Sequence, residues 1–207
     1  MKIISPSYEI LYMLEPYDIL KSIERIGRTC YKSEDNITND SAKGFVKRLI
    51  KSGHESVIEH INITVKFICD RGVSHELVRH RLAAYSQEST RYCNYSGELT
   101  FIKPLFWDEK SIEFRDWKYA MQEAEKYYMN LLRYGARPEQ ARSVLPNSLK
   151  TEIVMTANLR QWRHVLRQRC SKSAHPQMRE IMLPLLVELE YLLPEIFEGI
   201  MEGKCSR

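Results

Sequence analysis

A chain of 207 residues is long enough for one well-packed domain and short for two. With 43% hydrophobic and 28% charged residues it has the balance of a globular protein, which argues against a disordered chain. Its net charge of +4 is too mild to imply a nucleic-acid partner by itself, so the grouping of the basic residues says more than their number.

In chain order, residues 2 to 13 read as a strand. Asp18 to Tyr31 places Ile19, Ile23, Ile26 and Cys30 on one helix face. A second helix is expected from Asp40, as a capping aspartate, to Ser52, with Gly53 ending it. Ile61, Ile63, Val65, Phe67 and Cys69 alternate with polar residues, the pattern of a half-buried strand. A short helix is expected over Ser74–His80, then an irregular polar stretch to Gly97. Asp108 to Gly135 reads as the longest helix, with Trp117, Met121 and Tyr128 on one side. Thr151–Ala157 is rich in strand formers. Asn158 then caps a helix to about Cys170, Pro176 starts another, and Pro184 is expected to kink it. Few strands scattered among many helices predict an α+β fold, a mainly antiparallel sheet flanked by helices, in one domain over residues 1–207.

Several common sites are missing. No two glycines lie two apart, so there is no G-x-G-x-x-G and a Rossmann site is not expected. Gly199 with Gly203-Lys204 falls one residue short of a P-loop and lacks its Ser/Thr. His75-Glu76-Leu77-Val78-Arg79 fails as H-E-x-x-H because arginine takes the second ligand position. No G-x-S-x-G elbow exists. The five cysteines, Cys30, Cys69, Cys93, Cys170 and Cys205, show no C-x-x-C pair, so neither zinc nor a disulfide framework is suggested. The opening residues lack the apolar core of a signal peptide, and no run approaches a membrane span; the expectation is a cytoplasmic protein with no membrane partner.

The densest stretch runs from Glu76 to Tyr92. On a helix Arg79 and Arg81 would point roughly 200° apart, so one exposed anion could hold both only if the backbone turns there. Arg79-His80-Arg81 repels itself, and a bound polyanion would relieve it. Gln87, Ser89, Thr90 and Arg91 then offer an amide, hydroxyls and a guanidinium, the inventory for a phosphate and the polar edge of a base. A solvated basic helix end followed by a polar loop fits the same composition.

Arg79-His80-Arg81, seven residues and Ser89 reproduce the R-H-R-x7-S signature of the flavin-dependent thymidylate synthases, and Ser89-Thr90-Arg91-Tyr92 also resembles that family. Gly53-His54-Glu55-Ser56 with Glu59-His60 is similar to its upstream flavin motif. Ala141-Arg142 to Pro146 resembles its substrate-phosphate segment, and Asn158-x-Arg160 with His164 and Arg169 its carboxy-terminal block. The resemblance implies reductive methylation of dUMP to dTMP, with methylenetetrahydrofolate as carbon donor and FAD with NADPH as hydride source. It implies FAD contacts from His54, Ser56, Arg79, His80, Arg81, Gln87, Asn158, Leu159, Arg160 and His164. Contacts to dUMP are implied for Glu76, Arg79, Gln87, Glu88, Ser89, Thr90, Arg91, Arg142 and Arg169. Arg169 matches the residue that polarises the uracil ring, and is the expected catalytic group. The loop departs from the family in reading Ser86-Gln87-Glu88 where relatives often have Asn-Glu before a variable residue, which would shift the carboxylate by one. The spacing from Arg169 to His175 also differs from some relatives. The family further implies a homotetramer with shared sites, in which Arg91 and Arg142 reach one dUMP from different subunits.

Other readings are weaker. His54, Glu59 and His60 as metal ligands yield to cofactor contact or helix capping, so no metal is expected. Ser89 lacks an evident base, and no cysteine sits in a Pro-Cys nucleophile context. A nucleic-acid module would need exposed aromatics beside the arginines, a part Tyr85, Tyr92 and Tyr95 could take around Arg91. A flavoprotein reductase without methyl transfer is a further alternative. No nucleic-acid partner is expected.

Overall fold

The computed structural model describes residues 1–95 and 97–201. Cys205 and the Gly203-Lys204 pair therefore lie outside the described residues. The chain forms two compact units, one from Met1–Tyr8, Lys66–His80 and Tyr85–Val154, the other from Glu9–Val65, Arg81–Ala84 and the chain from Met155 onward. Each unit draws on at least three separate stretches of sequence, so no single cut divides them.

The expected opening strand is two, β1 (Lys2–Ile4) and β2 (Ser7–Tyr12), separated by Ser5 and Pro6. Proline has no N–H for a ladder, which is a physical reason for the break. β1 pairs in parallel with β5 (Thr100–Ile102), Ile3 opposite Phe101. The larger sheet has four strands in the order β2, β3 (Asn62–Asp70), β6 (Lys150–Asn158), β4 (Ala84–Gln87). Between β3 and β6 the pairing is antiparallel. The Thr64 and Thr156 hydroxyls meet at 2.9 Å, Lys66 Nζ reaches Glu152 at 2.6 Å, and Leu159 N donates to the Ile61 carbonyl at 2.9 Å, so positions rise on one strand as they fall on the other. The alternation read in the sequence holds here: Ile61, Ile63, Val65, Phe67 and Cys69 are all buried. The α+β reading with antiparallel pairing stands; the β1–β5 pair is its parallel exception.

In the first unit, α3 (Arg71–Leu77) begins where the Asp70 carboxylate accepts from Val73 N at 2.7 Å. It starts and stops three residues before the expected Ser74–His80, because the cap is Asp70 and the chain turns after Leu77. α4 (Ile112–Arg133) starts later than Asp108, capped by Ser111; Gly135 in a left-handed conformation (φ 87°) and the short α5 (Pro138–Ala141) follow it. Tyr128 and Met121 of α4 pack with Leu99, Phe101, Ala141 and Leu149 into one core, and Trp117 lies against it.

In the second unit, α1 (Pro16–Thr29) and α2 (Ser41–Lys51) pack together. The buried face of α1 is Ile19, Ile23 and Gly27 with an internal Glu24–Arg28 ion pair at 2.7 Å; Cys30, expected on that face, is exposed. Gly27 is required there, since a Cβ would come within 2.8 Å of the Phe45 ring. Asp40 does not cap α2 with its side chain. Ser41 Oγ instead accepts from Thr38 N and donates to Glu24. A 3-10 turn over Glu55–His60 leads into β3. Asn158 caps α6 (Leu159–Arg169) through a 2.8 Å bond from Gln161 N, as read from the sequence. Trp162 is wholly buried and donates to the Ile63 carbonyl at 3.0 Å, tying α6 to β3. α7 (Pro176–Leu192) begins at Pro176 and continues through Pro184; a short α8 (Pro194–Phe197) follows.

Candidate active site

A cavity of about 800 Å³ in the second unit is lined by Arg81, Asn158, Arg160 and His164, four residues the sequence assigned to a cofactor. Glu59, Leu82, Ala83 and Gln161 complete it. The sequence brings them together through β6, which ends at Asn158, and through the first turn of α6. The start of α6 carries the positive end of the helix dipole, so the wall built by Asn158, Arg160 and Gln161 favours an anion. Arg160 is steered by acid: its Nη1 donates to Glu59 at 2.5 Å, and Glu55 lies 3.9 Å from its Nε. The Glu59 hydrogen bond favours the charged guanidinium and raises its pKa. His54 and Ser56 line a second cavity of about 330 Å³ in the same unit, together with Glu55 and Arg160. His54 occupies the cap position of the 3-10 turn without a side-chain cap bond.

Other residues assigned by the resemblance lie outside both cavities. Leu159 is fully buried and its N–H serves the Ile61 carbonyl, so its side chain belongs to the core rather than to the cavity wall. Arg163, one turn after Arg160 on α6, is a buried structural residue that binds Glu55 and the Ile196 carbonyl. Burial pushes its pKa down, with Glu55 opposing. Arg169 ends α6, half-buried, and lines neither cavity. Among the described residues no group of three or more His, Cys, Asp and Glu is placed to hold a metal.

The first unit holds the polar loop. Because α3 stops at Leu77, Arg79 lies in a turn rather than on a helix; Arg79 is exposed and His80 is buried. Tyr85 fixes this turn, its hydroxyl within 2.7 Å of the Leu77 carbonyl and 2.9 Å of the His80 carbonyl. Glu76 is half-buried on α3. The stretch expected to be irregular contains β4, which carries Gln87.

Gln87 and Glu88 divide their tasks. The Glu88 carboxylate is turned inward, accepting from Tyr95 Oη at 2.8 Å, Lys150 Nζ at 3.2 Å and Glu152 N at 3.1 Å. Its own N–H donates to the Glu152 carbonyl at 2.9 Å. Glu88 thus anchors the loop, with its carboxylate bonded inside the chain. Burial works against the charge of Lys150, yet hydrogen bonds to Glu152 and Glu88 outweigh it and raise its pKa. Lys150 and Lys66 together lower that of Glu152. Burial, then the bond to Glu88, drives the Tyr95 hydroxyl far above its ordinary value.

Beyond this anchor, Ser89 Oγ accepts from Arg91 N at 3.3 Å and Arg142 Nη1 donates to Thr90 Oγ1 at 3.3 Å. Arg91 is exposed, paired with Glu139 at 3.1 Å and lying over the Tyr92 ring. Glu139 also holds Arg137 at 2.8 Å, a role the sequence did not signal. Ser89, Thr90, Arg91 and Arg142 are therefore gathered within one chain. The aromatic strip of a nucleic-acid module is not formed, since Tyr85 and Tyr95 spend their hydroxyls internally and Tyr92 alone of the three is exposed.

Cys69 and Cys170 are fully buried, and burial pushes each thiol up to about 12, so neither ionises near neutral pH.

A family profile described as "Thymidylate synthase complementing protein" matches residues 13–195. The flavin-dependent thymidylate synthase of Pyrococcus abyssi is 35% identical over 181 residues, covering 84% of this chain and 74% of that protein. That of Geobacter sulfurreducens is 32% identical over 191 residues, covering 86% and 82%. The crystal structure of a UMP/dUMP methylase, PolB, from Streptomyces cacaoi shares the fold with a TM-score of 0.79 over 98% of this chain and 97% of that one, at 22% identity.

Proposed function

The chain belongs to the family of flavin-dependent thymidylate synthases, and from that premise we propose that it is an enzyme converting dUMP to dTMP. The observation that carries the reading is the convergence of Arg81, Asn158, Arg160 and His164 on one cavity at the start of α6. Those residues fit a flavin dinucleotide: two guanidiniums, an imidazole and a helix N-terminus suit a pyrophosphate, and the volume is in the range of cofactor pockets. When bound, FAD supplies the hydride, with methylenetetrahydrofolate supplying the carbon and NADPH the reducing equivalents. The chain's own residues bind and orient. Ser89, Thr90, Arg91 and Arg142 present hydroxyls and guanidiniums to the nucleotide phosphate, and Gln87 meets the nucleotide away from the phosphate. Glu76 and Arg79 add substrate contacts, and His54 and Ser56 cofactor contacts.

Uracil C5 is a weak nucleophile until negative charge develops on the ring. Arg169 supplies that stabilisation at N3 and O4, where one placed donor contributes about 3–4 kcal/mol. Arginine stays protonated, so it acts as an electrostatic stabiliser and not as a base. A chain of this size does not readily enclose three ligands, which supports a homotetramer with shared sites.

Flavin binding tests the reading at its foundation. The protein is expected to be yellow, or to become so with FAD, and to release FAD on denaturation. Arg81→Ala is expected to weaken FAD binding at least tenfold, the loss of a charge-assisted hydrogen bond. A preparation that stays colourless with unchanged flavin fluorescence contradicts it.

A further inference from the structure

Gln87 is held by two hydroxyls at its nitrogen. Its Nε2 lies 2.9 Å from Ser74 Oγ and 3.2 Å from Thr151 Oγ1, and both partners are buried, at 0% and 1% exposure. Which end of a carboxamide faces a hydroxyl is often ambiguous, because a hydroxyl both donates and accepts. Here Ser74 resolves it. Its Oγ lies 2.9 Å from the carbonyl of Arg71, a group that can only accept, so the single hydroxyl hydrogen of Ser74 is committed there. Toward Gln87, Ser74 can therefore only accept, and the group facing it must be the NH₂. A reversed amide would place two lone-pair oxygens 2.9 Å apart at a fully buried position.

Both hydrogens of the Gln87 NH₂ are then used, one on Ser74 and one on Thr151. None of the described residues hydrogen-bonds Oε1, the one polar atom left. We propose that Ser74 and Thr151 are positioning residues that lock the Gln87 carboxamide as an acceptor-only contact, selecting a hydroxyl or imide N–H of the nucleotide and refusing its phosphate. The inference rests on the reading that Gln87 meets dUMP. The donors on dUMP are the sugar 3′-hydroxyl and the uracil N3–H, so one of these is the group selected. It also accounts for the residue type. A glutamate at this position has no hydrogen to give Ser74, and would force that hydroxyl off the Arg71 carbonyl.

The test is calorimetric binding of dUMP, its 3′-deoxy analogue and its N3-methyl analogue to the FAD-loaded enzyme, as wild type, Ser74→Ala and Thr151→Val. Thr151→Val keeps the side-chain shape and serves if Ser74→Ala fails to fold. Either variant is expected to bind dUMP about five- to tenfold more weakly, the worth of one ordinary hydrogen bond. The penalty should vanish for the one analogue that lacks the selected donor. A merely structural role would lower all three affinities by the same factor, and that result, or no loss at all, overturns the inference while leaving the proposed function in place. A wild-type enzyme that binds no dUMP overturns the proposed function, and the inference with it.

Discussion

Arg169 and Arg163 sit on the same helix and show how position decides what an arginine does. Arg163 is sealed against Glu55 and the Ile196 carbonyl, whereas Arg169 ends the helix half-buried. Arg169→Lys keeps the charge and loses the planar fork that meets N3 and O4 together. The expected result is a fall in dTMP formation of at least a hundredfold, in line with the loss of an oxyanion donor, with FAD affinity changed little. Equal loss of both would make Arg169 structural. Cysteine has the opposite expectation. Cys69 and Cys170 are held as neutral thiols, and a variant with all five cysteines replaced by Ser or Ala, if folded, should still form dTMP. Loss of product with flavin binding intact would locate a nucleophile among them.

At the scale of elements, Asn158 combines two functions that can be separated. As N-cap of α6 it accepts from Gln161 N, and as a wall of the larger cavity it faces the proposed anion. Asn158→Ala is expected to lower unfolding stability by about 1 kcal/mol. Asn158→Asp keeps the acceptor and suits the helix dipole, so stability should hold while its negative charge weakens FAD binding. Thermal unfolding and flavin titration of the two variants check this, and a parallel loss in both would contradict it. The loop anchor gives a pH signature. Glu152, lowered by Lys150 and Lys66, stabilises above the ordinary carboxylate pKa and loses that contribution as pH falls through its lowered value. Lys150, raised overall by Glu152 and Glu88, stabilises below the ordinary lysine pKa and loses that contribution as pH rises through its raised value. The stability difference between wild type and Lys150→Met, read from urea midpoints, should therefore be flat from about pH 4.3 to about pH 10.4 and shrink beyond both ends. Local signals were readable at this scale. The alternation of β3, the Asn158 cap and the Pro176 start each depend on neighbours in sequence. What stayed hidden depends on distant partners: the inward turn of Glu88 needs Tyr95, Lys150 and Glu152, and the capture of Ser41 in place of an Asp40 cap needs Glu24.

For the whole molecule, the motifs that named the family are scattered from His54 to Arg169, and the fold gathers them into separate groups. Ser89, Thr90, Arg91 and Arg142 come together within the chain, a neighbourhood hidden in the sequence because Thr90 and Arg142 lie 52 positions apart. This changes what reassembled mixtures should do. Arg91→Ala and Arg142→Ala, each nearly inactive, should show no recovery when unfolded and refolded together if the Arg142–Thr90 bond within one chain brings both arginines to the same site. Recovery of roughly a quarter of the sites, the random-mixing value for two-chain sites in a closed oligomer, would contradict that placement. Light scattering should give four times the chain mass. The central claim is the reaction, and its most direct measurement is chromatography of nucleotides after the FAD-loaded protein is incubated with dUMP, methylenetetrahydrofolate and NADPH. The expected result is dTMP that appears in step with NADPH consumption and vanishes when dUMP or the folate is omitted. NADPH oxidation with no dTMP formed would contradict the claim and leave a reductase in its place.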